Sequence, residues 1–128
     1  MTPATVNSKV LLTISLYWWV SSYQIKYRIL RNGVPIILGA WEWGRPVTTG
    51  MVIPYDDVAV TQWYQVAFLG GTYVDTPSTT SAITYQIQMA AYSWQTVYLN
   101  RSLNWQNNSA GGYDATPVSS LVAMEIAN

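Results

Sequence analysis

Apolar and polar residues alternate with a period of two along most of this chain. Val10, Leu12, Ile14, Leu16 and Trp18 fall on one face of a first run, with Lys9, Thr13, Ser15 and Tyr17 between them. Successive side chains of an extended strand point to opposite sides, so this pattern predicts a strand with one face in a core. A second run puts Tyr23, Ile25, Tyr27 and Ile29 on one face and Gln24, Lys26 and Arg28 on the other. It stops at Arg31-Asn32-Gly33, a turn signal because Asn and Gly readily take positive φ. Val34–Leu38 resumes as a short strand, with Pro35 suited to an edge.

The same period recurs downstream. Val58, Val60, Tyr64, Val66 and Phe68 share a face, which Gly70-Gly71 is expected to end as a turn, and Tyr73–Ser78 reads as a turn cluster. Ile83, Tyr85, Ile87 and Met89 alternate with Thr84, Gln86 and Gln88. Thr96–Asn100 follows with Val97 and Leu99 inward. The last run has Val122, Met124 and Ile126 on one face and Leu121, Ala123 and Glu125 on the other. No ten-residue stretch carries the 3.6-residue helical period. The expectation is an all-β domain of seven or eight strands, an antiparallel sandwich or barrel. Gly39–Met51 and Ser102–Pro117, rich in Gly, Asn, Trp and Pro, read as two long loops.

At 128 residues the chain is one domain, with residues 1–7 expected as a flexible or assembly arm. About two-thirds of the extended surface can be buried at this size, so a core forms without staples, in keeping with the absence of cysteine. Only 9% of residues are charged, six basic against six acidic. So neutral a surface offers no electrostatic funnel to nucleic acid or anionic lipid, and few charges keep copies apart. A partner chain is therefore expected over part of it. Residues 1–5 lack the features of a signal peptide, and the apolar stretches near Val10–Val20 and Val34–Trp43 are too short and interrupted to span a membrane.

The chemistry of the chain is defined by what it lacks. With no His and no Cys, it has no imidazole for acid–base work and no thiol or zinc ligand of the usual kinds. Lys9 and Lys26 are the only lysines, and neither sits near a nucleophile elbow. Asp56-Asp57 reads as part of a loop, since neighbouring strand residues point to opposite faces. Asp56, Asp57, Asp75 and Asp114 show no calcium-loop spacing. Gly70-Gly71 and Gly111-Gly112 precede no helix that would hold a phosphate. The expectation is no enzyme, no cofactor and no metal site.

Seven Trp and ten Tyr turn the question to recognition. In an extended Trp41-Glu42-Trp43 both indoles project to one side, and with Trp105 they would form a stacking platform for a sugar. The alternative is that the Trp residues fill a core or a subunit interface. Trp18, Trp19 and Trp63 are assigned to core or interface. Gln86 and Gln88, with Thr84, form an uncharged polar face that an assembly can bury if every amide is paired. Glu125 is expected to pair with Arg101 or Arg31.

Four segments carry a resemblance. Asn32-Gly33-Val34-Pro35-Ile36 follows a strand that ends at Arg31; Tyr73–Met89 (YVDTPSTTSAITYQIQM) comes next; then come Thr96–Ser102 (TVYLNRS) and Ser119–Ala127 (SSLVAMEIA). In this order they resemble the C-terminal module of tail-fibre and related virion structural proteins of tailed bacteriophages, especially those infecting cyanobacteria. That pattern runs RNG-x-P, DTP, TYK(I/V)Q, TVYVNRS and S-x-(I/L)-x-x-MEI, and the matches span about three quarters of this chain. The resemblance implies a jelly-roll β-sandwich on a virion surface, a homotrimer serving as short fibre, fibre tip or capsid decoration. Its partners would be itself, other virion proteins and a host-surface glycan. Two departures stand out. The module usually closes a longer fibre polypeptide, whereas this chain begins with Met, and Trp41, Glu42, Trp43 and Trp63 load its middle with extra indole. The alternative expectation is a carbohydrate-binding module reading a cell-surface glycan through Trp41, Trp43 and Trp105.

Overall fold

The computed structural model describes residues 1–20, 25–40, 47–52, 66–91, 96–101 and 116–126. Among them are eight strands and no helix: β1 (Lys9–Val20), β2 (Ile25–Arg31), β3 (Val34–Ile36), β4 (Gly50–Val52), β5 (Ala67–Asp75), β6 (Tyr85–Ala91), β7 (Val97–Leu99) and β8 (Ser120–Ile126). They form two antiparallel four-stranded sheets built to one plan. In sheet A, β1 lies centrally, with β5 along one side and β8 and β7 in tandem along the other. In sheet B, β2 lies centrally, with β6 along one side and β3 and β4 in tandem along the other.

The two central strands carry the core. Val10, Leu12, Ile14, Leu16 and Trp18 of β1 meet Ile25 and Ile29 of β2, and partly buried Leu69, Tyr73, Ile87, Met89, Leu121 and Ala123 pack around them. Burial of this apolar surface drives the stacking of the sheets, at about 25 cal/mol per Å² removed from water. The expected faces of β1, β2, β6 and β8 are the observed ones. Asn32 (φ 49°) and Gly33 (φ 80°) make the two-residue turn between β2 and β3.

Other expectations are corrected. Gly70-Gly71 is no turn: β5 runs straight through, with Gly70 opposite Ser15 and Gly71 opposite Ile14. Glycine is poor in strands because it brings no side chain to the sheet. Here a neighbouring ring fills each gap. A Cβ placed on Gly70 would fall 2.9 Å from the Phe68 ring, and one on Gly71 2.8 Å from the Tyr73 ring. Strand β4 lies partly inside the expected loop Gly39–Met51. It is held because Gly50 sits opposite Tyr27, whose ring lies where a Gly50 side chain would be. Leu99 lies opposite Trp18, on the expected inward face, yet it is 49% exposed at the end of a strand only three residues long. The first residues lie along their own domain. Pro3 is buried, Met1 and Ile83 exchange backbone hydrogen bonds, and the Ala4 N–H donates to Glu125 at 2.7 Å.

Candidate functional site

Polar chemistry on the inner faces gathers at one end of the sheets. Arg31 and Tyr85 are cross-strand partners on β2 and β6, so their side chains stand together on the inner face of sheet B. Opposite them, on β5 of sheet A, is Asp75, 7% exposed. Arg31 Nη1 donates to both carboxylate oxygens at 3.0 Å, and the Tyr85 hydroxyl donates to Oδ2 at 2.8 Å. Two residues back along β5, the Tyr73 hydroxyl meets that of Tyr27 at 2.6 Å. Burial, and then the bond to Asp75, pushes the Tyr85 phenol well above its usual range. Burial, and then Tyr73, does the same for Tyr27.

This cluster joins the two sheets. Two donors, Arg31 Nη1 and the Tyr85 hydroxyl, thus direct three hydrogen bonds at the one Asp75 carboxylate. Arg31 is taken by Asp75, and not by Glu125 as expected. The Glu125 carboxylate is held below its ordinary range by the Ser8 side chain and the Ala4 N–H. Arg101 lies over the Tyr98 ring, its guanidinium carbon 3.9 Å from the centroid. Sequence alone does not pair Arg31 with Asp75, because it does not show that β5 lies across from β2.

A second cluster fastens the other end of sheet A, where β1 passes from β8 to β7. The Tyr17 N–H donates to Ser119 Oγ at 2.9 Å, and Tyr17 O accepts from the Asn100 N–H at 2.8 Å. Asn100 Oδ1 accepts from the Ser119 N–H at 2.9 Å. These side-chain bonds carry the ladder across the break between the two short edge strands.

The expected contact residues separate into three groups. Trp18 is 1% exposed and belongs to the core, so it offers nothing to a partner. Its indole N–H has no acceptor among the described residues. Trp19 points to the other face of β1 but is 7% exposed, with its ring 5.7 Å from that of Tyr98. Gln86 and Gln88 are exposed on the outer face of sheet B, opposite Leu30 and Arg28. Trp41, Glu42, Trp43, Trp63 and Trp105 lie outside the described residues, as do Asp56, Asp57 and Asp114.

The outer face of sheet A is the surface that sequence reasoning left unassigned. Cross-strand rows run Val74–Leu11–Met124, Thr72–Thr13–Val122, Gly70–Ser15–Ser120 and Phe68–Tyr17. Phe68, Val74, Val122, Met124 and Ile126 are between 38% and 55% exposed. The Tyr17 and Phe68 rings lie 5.0 Å apart. The charges on this face stand at its two margins: Lys9, opposite Ile126, and Arg101, over the Tyr98 ring beside Trp19. The available signal was β8 itself, whose run Leu121–Met124 is apolar on both faces, as in strands covered on both sides.

No family model, curated protein or solved structure matches this chain.

Proposed function

We propose that the chain is a bacteriophage virion structural protein, a jelly-roll β-sandwich that assembles as a homotrimer on the particle surface. It would serve as a short fibre, a fibre tip or a capsid decoration. The observation that supports this most is where the phage-like segments meet. Arg31 of the Arg-Asn-Gly turn, Asp75 of Asp-Thr-Pro and Tyr85 of Thr-Tyr-Gln form one hydrogen-bonded cluster. Asn32 of the first segment also exchanges backbone and side-chain bonds with Thr84 of the second. Asn100 of the TVYLNRS segment and Ser119, which opens the last, are bonded at the opposite end. The resemblance therefore rests on mutually dependent parts of one scaffold.

The mechanism is assembly. One polar cluster holds the two sheets together at one end, another ties the strands of sheet A at the other, and a neutral exterior lets copies approach without charge repulsion. A closed ring is the usual outcome for identical chains. The test is mass spectrometry of gradient-purified phage particles from a host expressing the chain. Its peptides should band with the particle in fixed proportion to the other virion proteins. Their absence from washed particles would overturn the assignment.

A further inference from the structure

We infer that the outer face of sheet A is where copies of this chain meet, which deepens the trimer proposal and rests on it. Two surfaces compete for that role. The outer face of sheet B presents Gln86 and Gln88 with Lys26 and Arg28. Burying it would desolvate two cations and demand a partner for every amide hydrogen. On sheet A the side chains to be buried are mostly apolar, with Thr and Ser between them; its cations stand at the margins, Lys9 at one end and Arg101, over Tyr98, at the other, clear of the rows between.

Size agrees with a self-contact. The five most exposed apolar side chains leave on the order of 500 Å² open, at the upper end for a lone monomer. With the Thr and Ser between them the face approaches the roughly 800 Å² that each partner gives up in a stable complex. Its relief suits sheet-on-sheet packing: Phe68 lies down over Gly70, which has no side chain to hold the ring upright. A second copy brings the same uncharged rows and needs no charge match. Three copies would turn this face toward a common axis.

The test is native mass by light scattering, comparing the wild type with Val122→Lys/Met124→Lys and, as control, Gln86→Glu/Gln88→Glu. The expected result is about 43 kDa for wild type and control and 14.3 kDa for the lysine variant, with unchanged circular dichroism. A lysine variant still at three times the monomer mass would overturn this contact and leave the trimer standing. A wild type of twice the monomer mass, made monomeric by the lysines, would keep the contact and overturn the trimer. A wild type monomeric at high micromolar concentration would overturn both. Should the lysine variant fail to fold, Met124→Cys decides, since the chain has no cysteine of its own. Mild oxidation should link chains through Cys at this position and not through Gln88→Cys; the reverse would overturn the contact.

Discussion

Arg31, on the central strand of one sheet, reaches both carboxylate oxygens of Asp75, on a flanking strand of the other. The pair is half open on one side, with Arg31 at 30% and Asp75 at 9% side-chain exposure, so solvent screens part of the attraction. Asp75→Asn leaves the guanidinium without its counter-charge. It should cost about 2 kcal/mol, below the 3–5 kcal/mol of a fully buried pair. Urea denaturation checks this. Arg31→Met combined with Asp75→Asn should lose less than the sum of the single changes, because each removes the same contact.

Alkaline conditions should loosen the sheets. Both Tyr27 and Tyr85 have phenol pKa values raised by folding, so the folded state keeps protons that the unfolded chain releases. Their stabilisation is complete below the ordinary phenol pKa of about 10 and declines as pH rises beyond it. Tyr85→Phe should make that decline shallower, while costing about 1 kcal/mol at neutral pH through the lost bond to Asp75. Denaturation curves at a series of alkaline pH values would read both effects.

The ring-covered glycines make a graded series. Gly70→Ala should be nearly neutral, because the exposed Phe68 ring can swing away and alanine suits a strand better than glycine. Gly71→Ala meets the Tyr73 ring, which is hydrogen-bonded to Tyr27, and should cost about 1–3 kcal/mol. Gly50→Ala, against the buried Tyr27 ring, should cost at least as much. Thermal melts would give the order.

Gly33→Ala isolates backbone strain. Nothing lies within 4 Å of a Cβ at Gly33, yet its φ is +80°, so only conformation resists the change. The expected loss is about 1 kcal/mol. A melting temperature lowered by roughly 3–5 °C would agree.

Where period two extended over five or more residues, the described strands follow it; Val58, Val60 and Tyr64 of the run ending at Phe68 lie outside the described residues. The inward faces of β1, β2 and β6 were legible, as were the two alternating faces of β8, though not which of them turns inward, and so was the Asn32-Gly33 turn. Three-residue strands carry no period, so β4 disappeared into an expected loop, and Leu99, though on the expected face opposite Trp18, is left exposed by the shortness of its strand. Gly70-Gly71 misled because glycine's weakness in strands is a property of the residue, while its rescue by Phe68 and Tyr73 belongs to the neighbours two positions away. The Arg31–Asp75 contact needed the topology. The apolar outer face was visible in outline, as a strand greasy on both sides, but its meaning depended on seeing what left it bare. Trp41, Glu42, Trp43, Trp63 and Trp105 lie outside the described residues, so the glycan platform has no geometry to weigh.

Strand β1 draws its hydrogen-bond partners from residues 67–75, 97–99 and 120–126. The most apolar segment of the core is thus made early and completed late. On the ribosome, Val10–Trp18 must wait, unpaired along one edge, until Ile126 has emerged. Such distant pairing carries a large loop-closure cost and places folding in the millisecond-to-second range of all-β domains. Throughout that interval the strand is a ready template for the wrong chain. The plan that centres each sheet on one long strand therefore makes the nascent chain, more than the finished molecule, the stage at which aggregation has to be avoided.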